Sequence, residues 1–182
     1  MTRLLPSVLI AAVATAGCAS VQLNSYAARN ADFAAYRTYT WAASDRLITG
    51  DPRLDNNPFF RHTLQSSVER RLNTKGLEKR ETGTADLNVH FHASVSQQLD
   101  VGAYDREFGP CDAAECEPFV FDEGTIVIDL VDARTGNLVW RGWTKERIDG
   151  VIDNQDRLEE RVEKAVFRII EQLPRNGPPS RG

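Results

Sequence analysis

The chain has 182 residues and a formal net charge of −4, with 41% hydrophobic and 26% charged residues. This length suits one domain with short tails, and the composition is that of a globular protein. Acidic residues exceed basic ones by 26 to 22. Nucleic-acid binding requires a basic field, so we expect no nucleic-acid partner. The sequence also lacks an apolar stretch of the roughly 18 residues that a membrane-spanning helix needs.

Residues 1–17 have the features of an export signal. Arg3 precedes an apolar core, residues 4–16, in which ten of thirteen residues are Leu, Val, Ile or Ala. Such a core is typical of a signal peptide and is too short to span a bilayer as a helix. Small residues at positions 15–17 then precede Cys18. This arrangement resembles the cleavage site of bacterial lipoproteins.

The lipoprotein resemblance implies that Cys18 becomes the acylated first residue of the mature chain. Two or three acyl chains would anchor it stably, because each buried CH₂ contributes about 0.8 kcal/mol. Residue 19 is Ala rather than Asp, which by the sorting pattern of such lipoproteins implies the periplasmic face of the outer membrane. The alternative is ordinary secretory cleavage that leaves Cys18 as a free thiol.

The other two cysteines, Cys111 and Cys116, are separated by four residues. An exported chain meets an oxidising compartment, so we expect these two residues to form a disulfide. The loop that it closes is short, and the chain-entropy model gives a contribution of at most roughly 2 kcal/mol. A zinc site is the alternative, but the sequence offers no second ligand pair nearby.

The sequence predicts the following segments, in chain order, from residue 18 onward. Residues 18–31 are small and polar and are predicted to form a tether between the lipid and the domain. The β-branched and aromatic run 38–41 predicts the first strand. Asn57 and Pro58 then suit the N-cap and first turn of a helix, in which apolar residues recur at every fourth position. Gly76 is predicted to end this helix.

The clearest pattern in the chain lies in residues 85–96, where apolar and polar residues alternate strictly. Such alternation predicts a strand with one buried and one solvated face, as found in antiparallel sheets. Residues 125–132 and 137–145 are two further strands. Gly136 suits a three-residue hairpin turn between them.

This turn predicts the register of the hairpin. It places Ala133 opposite Asn137. In this register the oppositely charged side chains of Asp129 and Arg141 face each other across the two strands, which supports the register. The predicted pairs are Leu130 with Trp140, Asp129 with Arg141, Ile128 with Gly142, and Val127 with Trp143.

A last amphipathic helix is predicted over residues 158–173, ended by Pro174. Residues 174–182 are rich in proline and glycine and are predicted to be a disordered tail. The order is therefore β-α-β-β-β-α within a single domain, residues 32–173. We expect an α+β fold with a four-stranded antiparallel sheet and two helices packed on one face.

Several of these segments resemble one family, the bacterial lipoprotein group known as domain of unknown function 4136. The resemblance extends over about residues 30–174 and implies an exported, commonly lipid-anchored α+β domain with no established activity. The residues that carry it are Phe33-x-x-Tyr36-x-Thr38-Tyr39-x-Trp41, Lys75-Gly76-Leu77, Ala85-Asp86-Leu87, the run EGTIVIDLVDA at 123–133, and LVWRG at 138–142.

Two features are candidate metal sites. His90 and His92 share one face of a strand and could chelate a metal with a third ligand such as His62. The alternative is that they are ordinary polar residues on the solvated face of the sheet. The segment 99–123 contains eight carboxylates and only one arginine. It could bind calcium, although it lacks the EF-hand spacing, or it could simply be a solvated acidic loop. We predict no metal at either place.

The outer face of the hairpin is the candidate interaction surface. If Asp129 and Arg141 point outward, an apolar row points outward with them, and exposed apolar patches often mark interaction sites. The alternative is that the chain covers this row itself. The row consists of Val127, Val131, Val139 and Trp143.

The sequence contains no catalytic signature and no cofactor motif. We therefore expect a non-catalytic lipoprotein of the outer membrane that faces the periplasm and acts by interaction with an envelope protein or in envelope maintenance. The alternative is a module that binds a small ligand or a divalent cation.

Overall fold

The computed structural model describes residues 21–42, 49–99 and 120–174. Cys18, Cys111 and Cys116 lie outside these residues, as do the predicted signal peptide and most of the acidic loop and the tail. The strands are β1 (Gln22–Ala27), β2 (Thr38–Trp41), β3 (Glu78–Lys79), β4 (Leu87–Leu99), β5 (Val120–Asp132) and β6 (Leu138–Arg147). The helices are α1 (Pro52–Asp55), α2 (Pro58–Thr74) and α3 (Gln155–Glu171).

The strands form one mixed sheet in the order β1-β6-β5-β4-β2-β3. The pairs β1/β6, β6/β5 and β5/β4 are antiparallel, whereas β2 is parallel to both β4 and β3. The predicted four-stranded antiparallel sheet is therefore wrong. The chain between β2 and β4 contains α2, and a helical crossover of this kind joins parallel strands.

The predicted tether, residues 18–31, also differs from the structure. Its residues Gln22–Ala27 are strand β1, which pairs along its whole length with β6 at one edge of the sheet. The domain therefore begins before residue 32. Five of the six β1 residues are exposed, because an edge strand at the border of the sheet buries little, and its apolar pattern is correspondingly weak.

The helix α2 begins and ends as its sequence predicts, whereas α3 begins three residues before, and ends two residues before, the predicted range 158–173. Asn57 caps α2 by accepting a hydrogen bond from the Phe60 amide, and Gly76 adopts a φ of +83° just after this helix. Asn154 caps α3 by accepting from the Arg157 amide. Together with the inner face of the sheet the helices form one hydrophobic core, in which the largest fully buried side chain is that of Trp140.

The four predicted hairpin pairs are present, including Asp129 with Arg141 and Leu130 with Trp140. The predicted pairing of Ala133 with Asn137 is wrong. The register shifts next to Leu130, so that Val131 faces Leu138. The Asp132 carboxylate organises this turn by accepting hydrogen bonds from the backbone of residues 134 and 135. The Asp132 amide donates to the Asn137 carbonyl, so the turn spans residues 133–136, one residue more than predicted.

Asp86, which directly precedes β4, links this strand to its parallel neighbour β2. One carboxylate oxygen, Oδ2, accepts hydrogen bonds from the Arg37 amide, the Thr38 amide and the Thr38 hydroxyl, each at 2.9 Å. The Asp86 amide in turn donates to the Thr38 hydroxyl at 3.1 Å. The hydrogen bond from the Arg37 amide, followed by those from Thr38, holds the pKa of Asp86 below its usual value of 3.8.

We expect Asp86→Asn to lower the free energy of unfolding at pH 7 by roughly 1 kcal/mol, because the amide keeps only one, neutral, acceptor. A pKa that is lower in the folded state stabilises the fold above the unfolded pKa, and this contribution is lost as the pH falls through the folded pKa. The difference between parent and variant should therefore begin to shrink near the unfolded pKa of about 3.9 and vanish only below the lower pKa of the folded state. Urea unfolding from pH 7 to pH 2 measures it, and a difference that stays constant over this range would contradict the assignment.

Candidate binding face of the sheet

The two faces of the sheet differ in what covers them. The side chains of Leu87, Val89 and Phe91 on β4 point into the core, under α2 and α3. The alternating residues point to the opposite face, away from both long helices. Because cross-strand partners share a face, the register places these outward residues in rows across the sheet.

Two neighbouring rows form the centre of this open face. The first runs from Tyr26 through Arg141 and Asp129 to His90, and the second from Asn24 through Trp143 and Val127 to His92. Each row combines residues from strands β1, β6, β5 and β4. The site therefore depends on the pairing of the edge strand β1 with β6.

A two-pronged ion pair occupies the first row. Arg141 Nε donates to Asp129 Oδ1 at 2.7 Å and Arg141 Nη2 donates to Oδ2 at 2.6 Å. The Asp129 side chain is only 7% exposed, whereas that of Arg141 is 44% exposed. The hydrogen bonds with Asp129 raise the pKa of the Arg141 guanidinium above its usual value. Two parallel hydrogen bonds to one carboxylate hold the planar guanidinium in a single orientation on the surface.

The second row contributes apolar and aromatic surface. Trp143, Val127, His92 and Arg141 line a shallow depression of about 430 Å³. Tyr26, which lies opposite Arg141 on β1, is 51% exposed and extends the aromatic surface to the edge of the sheet. The arrangement offers an indole and a phenol beside one fixed cation, a combination common at protein-binding surfaces.

Three of the four residues of the predicted interaction face lie on this open face. Val127, Val131 and Trp143 are partly exposed and do not belong to the core. Val139 does not belong to the face, since it is 6% exposed and part of the hydrophobic core. The register passes from Leu130 opposite Trp140 to Val131 opposite Leu138. Val139 is therefore left unpaired at the bulge, where strict alternation fails.

Sequence reasoning missed the two β1 residues of the face, Asn24 and Tyr26. The sequence predicts a tether for their segment because its residues are mostly polar. One signal was available, since Leu23 sits between polar neighbours and packs against the core.

The structure does not bring the three histidines together. His90 and His92 lie on the open face opposite Asp129 and Val127, whereas His62 lies on α2, which packs on the other side of the sheet. In residues 21–42, 49–99 and 120–174, no group of three or more His, Cys, Asp or Glu side chains could hold a metal ion.

Only the end of the predicted acidic loop is described. There Glu123 accepts a hydrogen bond from Lys145 Nζ at 3.1 Å, and the Asp122 carboxylate lies 3.8 Å from Arg53. These two carboxylates are thus partners of basic side chains within the domain. None of the helices among the described residues is long and apolar enough to cross a membrane.

These features define an α+β domain in which two helices cover one face of the sheet, while none of the helices that the structure describes packs on the other, here called the open face. The chain belongs to the family described as Domain of unknown function (DUF4136), whose model matches residues 23–175. The match begins at residue 23, inside β1, which agrees with the finding that β1 is a strand of the domain. The family resemblance of the sequence is thereby confirmed. No curated protein matches the chain.

The solved structures that are similar to this chain include the following two. A DUF4136 family protein from Bacteroides thetaiotaomicron matches 86% of this chain and 98% of its own length, at 13% identity and a TM-score of 0.54. A PDZ domain protein from Parabacteroides distasonis matches 86% of this chain at 14% identity and a TM-score of 0.53. The present chain spans only 37% of that second protein. At these identities the likeness concerns the fold alone.

Proposed function

We propose that this protein is a non-catalytic lipoprotein, anchored through Cys18 to the periplasmic face of the outer membrane, that binds an envelope protein through the open face of its sheet. The observation that carries the binding role is the aromatic and apolar surface around Trp143. It lies on the sheet face away from both long helices.

Support for the anchor comes from the leader and from the position of Cys18. The apolar core in residues 4–16 and the small residues before Cys18 suit processing as a lipoprotein. Strand β1 begins at Gln22, so that only three residues separate it from Cys18. The four residue steps from Cys18 to Gln22 span at most about 14 Å. An acylated Cys18 would thus hold the domain close to the membrane surface.

Support for a protein partner comes from the composition of the face. Tryptophan, tyrosine and arginine are the residues enriched at the energetic centres of interfaces. Trp143, Tyr26 and Arg141 lie on adjacent strands here. The guanidinium is already held by Asp129, so a partner would meet a preorganised surface and lose less side-chain entropy on binding.

We expect Trp143→Asp to abolish capture of the partner, because a charge would replace the central indole. The measurement is cross-linking in intact cells from a photoreactive residue at Asn24, the β1 neighbour of Trp143, followed by mass spectrometry. A defined cross-linked protein in the parent should be lost in the variant.

The matched control is Phe167→Asp, since Phe167 is 40% exposed and lies on α3, on the covered side of the sheet. It introduces the same charge at another exposed aromatic residue and should leave the cross-link intact. Both variants should unfold cooperatively. If Trp143→Asp retains the parent cross-link, the open face is not the binding surface.

We expect Cys18→Ser to move the protein from the membrane fraction to the soluble fraction, because a serine cannot carry the thioether-linked lipid. Fractionation of cells and mass measurement of the purified N-terminus check this. The parent should begin at Cys18 with added acyl mass. Equal distribution of parent and variant between the fractions would refute the anchor and leave the binding face to be judged by the cross-linking result.

A further inference from the structure

The two edge strands of the sheet differ in how they are protected from pairing with another chain. At one edge, β3 consists of two residues, Glu78 and Lys79, and both are charged. Short length and charged side chains are common devices that keep an edge strand from pairing with a foreign strand. At the other edge, β1 has six residues, none of them charged and none of them proline. It pairs with β6 without a register shift, so it has no bulge either.

The free edge of β1 presents the backbone groups of three residues. The Ala28 amide donates to the Val139 carbonyl at 2.9 Å, in the same register that joins β1 to β6. Residues that bond to a given neighbour alternate along an antiparallel strand. The even-numbered residues of β1 therefore bond with β6, whereas the N–H and C=O groups of Leu23, Ser25 and Ala27 point away from it. Among the residues that the structure describes, no strand pairs with this outer edge.

These three residues are spaced symmetrically about Ser25, so that a second copy of β1 fits the edge best in one antiparallel register. In that register Ser25 faces Ser25 of the second copy, and Leu23 faces Ala27 of the second copy. Each of these pairs exchanges two backbone hydrogen bonds. A shift of the register in either direction leaves at least one of the three residues without a partner in the other strand.

The side chains of β1 meet those of a second copy without conflict on either face of the sheet. On the open face, Tyr26 lies opposite Asn24 of the second copy, and on the other face the half-buried Leu23 meets the exposed Ala27. No like charges face each other, because β1 carries none. A strand of another sequence could use the same backbone groups, but the symmetry of the edge and its lack of charge favour a second copy.

We propose that two copies of this protein pair through the free edges of their β1 strands, antiparallel and with Ser25 on the two-fold axis, so that the two sheets become one. The proposal rests on the edge of the sheet and does not depend on the partner-binding role of the open face. A single pair of short strands buries little area compared with the roughly 1,200 Å² of a stable interface. The dimer should therefore be reversible, and its test has to trap it.

Disulfide trapping in intact cells tests the register. Variants of the full chain carry one added cysteine in β1, and the cells are treated with a mild oxidant. Ser25→Cys places the two Cα atoms about 5.5 Å apart, within the range that a disulfide bridges. The matched control is Ala27→Cys, which is equally exposed. Its two copies would be roughly 14 Å apart, because four residue steps separate them along the paired strands.

We expect Ser25→Cys to give at least about fivefold more disulfide-linked dimer than Ala27→Cys, because only the first pair lies within bridging distance. The parent chain, with its own three cysteines, gives the background. Mass spectrometry of the product should identify a bridge between residue 25 of one copy and residue 25 of the other.

A proline tests the role of the backbone groups. The Ser25 N–H points to the free edge, so Ser25→Pro removes a donor of the dimer and none of the bonds between β1 and β6, a position where edge strands tolerate proline. The double variant Asn24→Cys with Tyr26→Cys should also cross-link, because these residues face each other across the pair. Adding Ser25→Pro should abolish this cross-link while the protein still unfolds cooperatively. Trp143→Asp should leave it intact, which separates this proposal from the binding role of the open face.

Three results would overturn the dimer. The first is a yield of dimer from Ser25→Cys no higher than that of the parent or of Ala27→Cys. The second is a cross-link between residues 24 and 26 that Ser25→Pro does not weaken. The third is a product in which residue 25 is joined to a different protein and not to a second copy of this chain.

Discussion

Gly142→Ala is expected to lower the free energy of unfolding by about 3 kcal/mol, at the upper end of what overpacking a core costs. A Cβ at this position would lie 2.4 Å from Trp140 Cη2 and 2.7 Å from Ile169 Cγ2. Both neighbours are fully buried, and the indole is rigid, so neither can move without disturbing the packing of α3 on the sheet.

The control for this prediction is Gly124→Ala on the adjacent strand. The three atoms nearest to its added Cβ all belong to the Ile148 side chain, and the first of them is Cδ1 at 3.0 Å. Such a flexible side chain can yield, and we expect a loss below about 1 kcal/mol. Urea unfolding followed by tryptophan fluorescence measures both. Equal losses in the two variants would show that the space beside Trp140 is not the reason for the glycine.

Arg141→Leu is expected to have the second largest effect, a loss of about 2–3 kcal/mol. The substitution removes both hydrogen bonds to Asp129 and leaves that carboxylate 95% buried without its guanidinium partner. Removing one partner of a fully buried pair costs about 3–5 kcal/mol. The value expected here is smaller because the Arg141 side chain is 44% exposed.

Two comparisons make this prediction specific. Lys145→Leu breaks the neighbouring pair with Glu123, whose carboxylate is more exposed at 18%, and should cost at most about 1 kcal/mol. The double variant Asp129→Leu with Arg141→Leu removes the stranded charge and should regain most of the stability lost in Arg141→Leu. If the double variant is as unstable as the single one, the buried carboxylate is not the cause.

These two predictions also explain the segment Trp140-Arg141-Gly142, which is part of the resemblance to the DUF4136 family. The indole fills the centre of the core, the glycine leaves room for its ring, and the arginine pairs with Asp129 on the opposite face. The three consecutive residues thus serve both faces of one strand. Asp86, in another segment of the resemblance, ties β2 to β4.

Much of the fold could be predicted because the signals are local. The alternation in β4, the caps of α2 and the apolar stripe of α3 depend on residues only a few positions apart. The register of the hairpin could be predicted around Asp129 and Arg141, because a charge pair reports directly on which residues face each other. The lipid anchor and the binding role remain predictions from sequence patterns and surface chemistry.

The remaining features depend on partners that are distant in sequence. Strand β1 forms because β6 offers it an edge more than a hundred residues later, and no short-range pattern in its polar residues reports that edge. The direction of β2 depends on the crossover through α2. Val139 moves from the predicted face into the core because the turn bonding of Asp132 shifts the register beside it.

Local signals in the chain are enough to place the two long helices, the central strands and most of the residue pairs of the hairpin, because hydrophobic period, capping and turn chemistry act over a few residues. The mixed order of the six strands and the set of residues on the open face become visible only in the folded chain. Each of these depends on surfaces that come together when the chain collapses, and the free energy of such long-range contacts is not encoded in any single segment.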